Sequence, residues 1–285
     1  MTAIYRDMDQ AAVDRGYNAR ATVDDVDALL LEYASRSAMA RDTLHCLEDV
    51  AYGDHPDEVI DVFPAGPNAP IFIFIHGGYW RALSQKDSAS MAPGLVAKGV
   101  SLVAVNYSLA PLASLDTIVR QCRSAVSWIW ENSDSFSGDR NSIYVGGSSA
   151  GGHLTGMLVA GGWHSDFGLP EGAIKGAVSL SGLYELEPIR RSHINEWMKL
   201  DLAGVRRNSP QRHLPKAGCP IVVSYGETET SEFKRQSIDY AEAWTLEGGA
   251  CDLFEATGRN HFDIIFDLDD PETRLGRAVL DLVGI

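Results

Sequence analysis

The sequence predicts an α/β fold, a mostly parallel central sheet with helices on both faces. Two observations carry that expectation. Short apolar runs recur along the chain with helix-compatible segments between them, the tempo of a doubly wound sheet. Several of the runs are apolar at consecutive positions, as strands covered on both faces must be. At 285 residues, with 45% hydrophobic and 22% charged content, the chain is expected to form a single domain around a large core.

Taken in order, the first 45 residues are acidic and helix-prone, a helical extension to the domain. In "TVDDVDALLLEYASRSAMARD", Thr22 is placed to cap a helix with Asp25 three residues on, a loose capping box. At "EVIDVF" the pattern changes. The apolar runs that follow are "PIFIFIHGG" (70–78), "VSLVAVNYS" (100–108), "SIYVGG" (142–147), "IKGAVSLSG" (174–182), "CPIVVSYGE" (219–227) and "CDLFEATG" (251–258). Residues 115–131 read as a helix, with Ile118, Val119, Cys122, Val126 and Ile129 at helical spacing. Residues 184–213 break the tempo and are expected to form a cap-like insertion over the site. Ligands of such sheets bind at the carboxyl ends of the strands, so the loops after each run carry the functional expectation.

Composition narrows the function. A net charge of −15 repels phosphate backbones and anionic lipid, which disfavours nucleic-acid and membrane-surface partners. The four cysteines are widely spaced, with no zinc-ligand pattern, and read as reduced thiols of a cytoplasmic protein. The amino-terminal residues hold no apolar core of a secretory signal, and no apolar run reaches the about 18 residues of a membrane span. No metal motif of the HExxH kind occurs, and no metal or cofactor is expected. Homo-oligomerisation is left open.

The segment "SIYVGGSSAGGHL" (142–154) joins a strand to a helix through two pairs of glycines. As a phosphate loop it lacks the lysine that should follow its last glycine, and the chain has no G-x-G-x-x-G. As a nucleophile elbow, G-x-S-x-G, it fits one register well: Gly147, Ser148, Ser149, Ala150, Gly151. Centring the motif on Ser148 would put Ala150 where the last glycine belongs. Ser149 is therefore the candidate nucleophile.

A serine hydroxyl needs a histidine to take its proton and a carboxylate to orient that histidine. In a hydrolase sheet of this kind the order along the chain is Ser, acid, His. Five of the eight histidines follow Ser149. His153 lies in the helix just after the serine, where it cannot swing back over the hydroxyl. His164, His193 and His213 fall in helical or inserted regions and read as surface residues. His261, in "ATGRNHFDII" after the last run, is the candidate base. For the acid, the loop after "PIVVSYG" offers Glu227, Glu229 and Glu232; Glu229 is favoured and Glu227 is the fallback. The oxyanion hole is expected from Ala150 and from "IHGGYW", where Gly77 and Gly78 let the backbone approach substrate and bring the amides of Gly78 and Tyr79 into range. His76 is expected to brace that loop. Tyr79, Trp80, Tyr184 and Trp197 are candidate pocket walls.

Together "HGGYW", "NYSLAP", "GGSSAGGHL", "YGETETSEFKRQS" and "NHFDII" resemble the kynurenine formamidase (arylformamidase) branch of the α/β-hydrolases, related to the hormone-sensitive-lipase-like esterases. The likeness runs from about residue 57 to the end of the chain, and the helical amino-terminal region is compatible with it. It implies Ser149 as nucleophile, Glu229 as acid, His261 as base, and an oxyanion hole from the "HGG" segment with Ala150. The family usually carries aspartate at the position of Glu229. The expected activity is hydrolysis of a small ester or amide through an acyl-enzyme, without a cofactor. General short-chain carboxylesterase activity is the nearest alternative, and a silent fold used only for binding is the rival from another class.

Overall fold

The computed structural model describes residues 2–285. Its strands are β1 (Leu47–Ala51), β2 (Val59–Phe63), β3 (Ala69–Ile75), β4 (Ser101–Val105), β5 (Gly138–Ser148), β6 (Ile174–Leu180), β7 (Ile221–Gly226) and β8 (Cys251–Ala256). They form one sheet in the order β1-β2-β4-β3-β5-β6-β7-β8. The pairs β1–β2 and β2–β4 are antiparallel, and every later neighbour is parallel. The six apolar runs are β3 to β8, and "EVIDVF" holds β2. β1 escaped the sequence reading because "LEDVA" is a half-exposed edge with no apolar run to announce it.

β3 shows why the runs are continuous. Ile71, Ile73 and Ile75 join the core on one face of the sheet, and Phe72 and Phe74 join the core on the other. The first face is covered by the helices Leu115–Asn132 and Ala150–Leu158, the second by Ala92–Ala97 and Arg274–Val283. The helix expected over 115–131 starts at Ser114, whose hydroxyl accepts from the Thr117 amide, and buries all five of its predicted core residues.

The amino-terminal helix runs Val26–Thr43, with Asp25 rather than Thr22 as its cap: the Asp25 carboxylate accepts from the Ala28 amide at 2.9 Å. Thr22 instead ends a short 3₁₀ turn and donates to the Ala19 carbonyl at 2.7 Å. The segment 184–213 forms three short helices, Glu187–Arg191, Asn195–Met198 and Leu202–Asn208. Among the described residues, no helix is long and apolar enough to cross a membrane.

One feature of the topology places the site. The chain leaves β3 toward β4 on one side, then returns across β3 to lay down β5 on the other. The loops leaving β3 and β5 therefore diverge, and a crevice opens where they part. "IHGGYW" and "GGSSAGG" are those two loops.

Candidate active site

Ser149 sits at φ 58°, ψ −115°, between β5 and the helix that starts at Ala150. A non-glycine residue there stores about 1–3 kcal/mol of strain. The structure holds it by bonding the Ser149 amide to the Leu180 carbonyl of β6 at 2.8 Å. It also packs the turn against β3 so closely that a Cβ on Gly151 would collide with the Ile75 carbonyl. The G-x-S-x-G spacing is thus a steric requirement of the elbow.

Glu229 lies three residues past the end of β7, with its side chain fully buried. One carboxylate oxygen accepts from the Gly226 amide at 2.6 Å and from the Ser181 hydroxyl. The other accepts from His261 Nδ1 at 2.7 Å. In the neutral tautomer that this bond favours, Nε2 is the ring nitrogen with a free lone pair. Glu227 does not share the position. It is exposed and accepts from the Gly258 amide at 2.6 Å. Ser181 was missed in the sequence, although its place directly after β6 matched the loops worth searching.

Ser149 and His261 open on the same cavity, of about 420 Å³. No hydrogen bond joins them among the described residues, a common state before substrate tightens a site. Gly77, Gly78 and Tyr79 line the same cavity. Gly78 has φ +90° and lies so close to the Ala82 backbone that no side chain would fit. Tyr79 and Trp80 continue the left-handed turn at φ 50° and 58°. Three bonds hold this strained loop: Tyr79 Oη donates to the Tyr17 carbonyl, Trp197 Nε1 to the Tyr79 carbonyl at 3.2 Å, and the Ala110 amide to the Trp80 carbonyl at 2.7 Å. The amides of Gly78 and Tyr79 bond to no acceptor among the described residues. As the first residue of its helix, Ala150 also lacks an intrahelical acceptor.

Two of the expected pocket walls lie elsewhere. Trp80 is fully buried behind the loop, donating Nε1 to His153 Nδ1 at 3.2 Å, and does not line the cavity. Tyr184 is buried under the sheet's end, stacked on Tyr240 at 4.0 Å with its hydroxyl 2.7 Å from Ser179 Oγ. Both are core aromatics because their polar atoms found partners inside the protein. Trp197 does line the cavity, beside Tyr79. The sequence reading missed the opposite wall, built by Tyr17, Ala19, Arg20, Leu30 and Tyr33 of the amino-terminal region. Tyr17 is anchored there by bonds from its hydroxyl to Glu232 and from Gln236, each 2.9 Å.

The remaining histidines differ from His261. His153 Nε2 donates to the Asn208 carbonyl at 2.7 Å, and burial pushes its pKa down to about 4. His76 is stacked on Tyr107 at 4.1 Å and donates Nδ1 to the Gly77 carbonyl at 3.0 Å; burial lowers it, too, to about 4. It braces the loop, as expected. His193 is not simply a surface residue: it borders the cavity, 3.3 Å from Asp14. No group of three or more His, Cys, Asp or Glu placed to hold a metal occurs among the described residues.

Residues 63–243 match the BD-FAE family. A kynurenine formamidase of Danio rerio is 34% identical over 94% of this chain and 92% of its own length. The chain belongs to the kynurenine formamidase branch of the α/β-hydrolases. The branch is represented also by a Salmo salar kynurenine formamidase, 33% identical over 98% of both chains. A solved protein from Silicibacter sp. superposes with a TM-score of 0.81 at 28% identity, over 92% of this chain and 97% of that one. As a member of this branch, the chain is a hydrolase of the α/β-hydrolase type.

Proposed function

We propose that this hydrolase cleaves a small aryl formamide or ester through an acyl-enzyme on Ser149. The observation that carries the reading is the buried bond from His261 Nδ1 to Glu229, which prepares Nε2 as a base on the cavity shared with Ser149. Ser149 Oγ attacks the carbonyl carbon while His261 Nε2 takes its proton. The carbonyl oxygen, now negative, is held by the amides of Gly78, Tyr79 and Ala150, with Gly77 leaving the approach clear. His261 returns the proton to the departing amine or alcohol as the bond to it breaks. Water then adds to the acyl-enzyme under the same base, releasing the acid and the free serine. Glu229 orients the imidazole and stabilises its charged form. The four free cysteines fit a cytoplasmic setting for this chemistry.

A fluorophosphonate probe tests the nucleophile: wild type should label and Ser149→Ala should not. Equal labelling of both defeats the assignment. Values of kcat/KM for N-formylkynurenine, aryl acetates and p-nitrophenyl acetate test the substrate class. Negligible turnover of the formamide beside fast ester cleavage would replace the formamidase reading with a general carboxylesterase.

A further inference from the structure

The first helix, Gln10–Gly16, ends beside the site, and Tyr17 follows it onto the cavity wall. A helix leaves its last carbonyls without intrahelical amides. Among the described residues, no backbone amide reaches the carbonyl of Gly16 or of Tyr17. Both meet side-chain hydroxyls instead: Thr230 Oγ1 donates to the Gly16 carbonyl and Tyr79 Oη to the Tyr17 carbonyl, each at 2.5 Å. Thr230 directly follows Glu229, the proposed acid, and Tyr79 carries one of the amides proposed for the oxyanion hole. Two loops that meet nowhere else in sequence thus hang on successive carbonyls of one short stretch.

Each donor gives something up to make its bond. Thr230 stands at the cap position of the helix Ser231–Leu246, where a threonine oxygen ordinarily accepts from an amide of the first turn. It makes no such bond, and its hydroxyl goes instead to a residue 214 positions away. Tyr79 sits at φ 50°, a strained backbone that needs outside support. The Trp197 bond to its carbonyl is longer, at 3.2 Å, so the hydroxyl is the shorter tie. The accepting stretch is itself fixed. A Cβ on Gly16 would lie 2.7 Å from Glu232 Cγ, so the chain rests directly on the helix that Thr230 begins. The Tyr17 side chain is fully buried, with its hydroxyl bonded to Glu232 and Gln236. Its ring meets Phe233 edge-on at 6.0 Å, and Phe233 packs on His261 at 4.4 Å.

We propose that Tyr79 and Thr230 are positioning residues: their hydroxyls clamp the oxyanion loop and the acid loop to the Gly16 and Tyr17 carbonyls, and so keep the two loops in register during attack. The inference rests on the reading of Ser149 as nucleophile and Glu229 as acid. Register between the oxyanion amides and the acid matters most when charge develops in the transition state. Its loss therefore falls on kcat rather than on KM.

Tyr79→Phe and Thr230→Val remove the two hydroxyls with little change of shape. Each should lower kcat for an aryl acetate by about tenfold, the scale of one net hydrogen bond, and leave KM within about twofold. Thr230→Ser keeps a hydroxyl and should restore the wild-type kcat. Phenylboronic acid, which a nucleophilic serine converts to a tetrahedral anion, reads the same geometry without turnover; each hydroxyl-free variant should bind it about tenfold more weakly. Because the two bonds share one stretch of backbone, the double variant should lose less than the product of the single losses. Wild-type kcat in both single variants overturns the proposal. So does a loss carried wholly by KM, a Thr230→Ser as impaired as Thr230→Val, or full additivity in the double variant. Equal binding of phenylboronic acid by wild type and Ser149→Ala would instead defeat the reading of Ser149, while kcat and KM of the hydroxyl variants would still judge the clamp.

Discussion

The cavity has two walls of different construction. The wall bearing Ser149 and His261, with Glu229 buried behind it, is made by loops at the carboxyl ends of β5, β7 and β8, and is held by backbone strain and buried hydrogen bonds. The facing wall is made by side chains from the amino-terminal region and from the short helices of 184–213, held by packing and a few long-range bonds. The first wall is suited to place reacting atoms; the second is suited to choose what is placed. Substitutions should therefore separate them, with the sheet wall governing kcat and the helical wall governing KM.

The largest effect is expected at the elbow. Ser149→Ala should lower kcat by about 10⁴-fold or more, the scale of losing a nucleophile. A protein that keeps its cooperative melt while losing turnover would locate the loss in chemistry. Retained turnover would break the comparison at its strongest point.

Glu229→Gln comes next. It keeps the size of the side chain but removes the charge that stabilises imidazolium, and should cost about 10³–10⁴ in kcat with little change in KM. Glu227→Gln, on an exposed side chain bonded to the Gly258 amide, should leave kcat within about threefold, as surface changes generally do. Steady-state kinetics on one ester decides between them, and a larger loss at Glu227 would reverse the assignment of the acid.

On the facing wall, Trp197→Ala removes an aromatic surface of the cavity and the partner of the Tyr79 carbonyl. KM should rise by about tenfold, the worth of about 1.4 kcal/mol of lost contact, with kcat changed much less. An equal fall in kcat with KM unchanged would show that the two walls do not divide the work.

The same division governs what was legible in the sequence. The residues of the sheet wall were readable because they sit in local motifs or directly after strands. Gly147, Ser149 and Gly151 form one motif, His76 to Trp80 another, and Glu229 and His261 follow strands that announce themselves by continuous apolar runs. The helical wall was not. Tyr17 and Tyr33 reach the cavity from about a hundred residues or more before Ser149, through contacts that no local pattern encodes. Trp80 and Tyr184 failed in the opposite sense. Large aromatics near a motif looked like pocket, but His153 Nδ1 and Ser179 Oγ satisfied their polar atoms inside the core. β1 was invisible because a polar edge strand needs no apolar run, and the cap fell at Asp25 because side-chain geometry, not spacing alone, chose between two competent residues.

The smallest effect sharpens the contrast through protons. His153, on the helix after Ser149, is buried between Trp80 of the loop after β3 and Asn208 of the inserted segment. Burial lowers its folded pKa to about 4, whereas the unfolded chain titrates near the ordinary 6.5. Between those values the unfolded state holds more protons, so stability rises with pH through the window. It is fully present above about 6.5 and is lost progressively as pH falls toward 4. His153 alone can contribute at most about 1.4 kcal/mol per pH unit there, the value of one proton. His76 should add a similar term, since it is buried to the same pKa. His153→Gln can still accept from Trp80 Nε1 and donate to the Asn208 carbonyl, yet has no proton to take up. Denaturant unfolding at pH 7, 6 and 5 should show a shallower loss for the variant than for wild type, whatever its stability at pH 7. Parallel slopes would mean that His153 is not held neutral by burial, and that its contact with Trp80 and Asn208 is wetter than its packing implies.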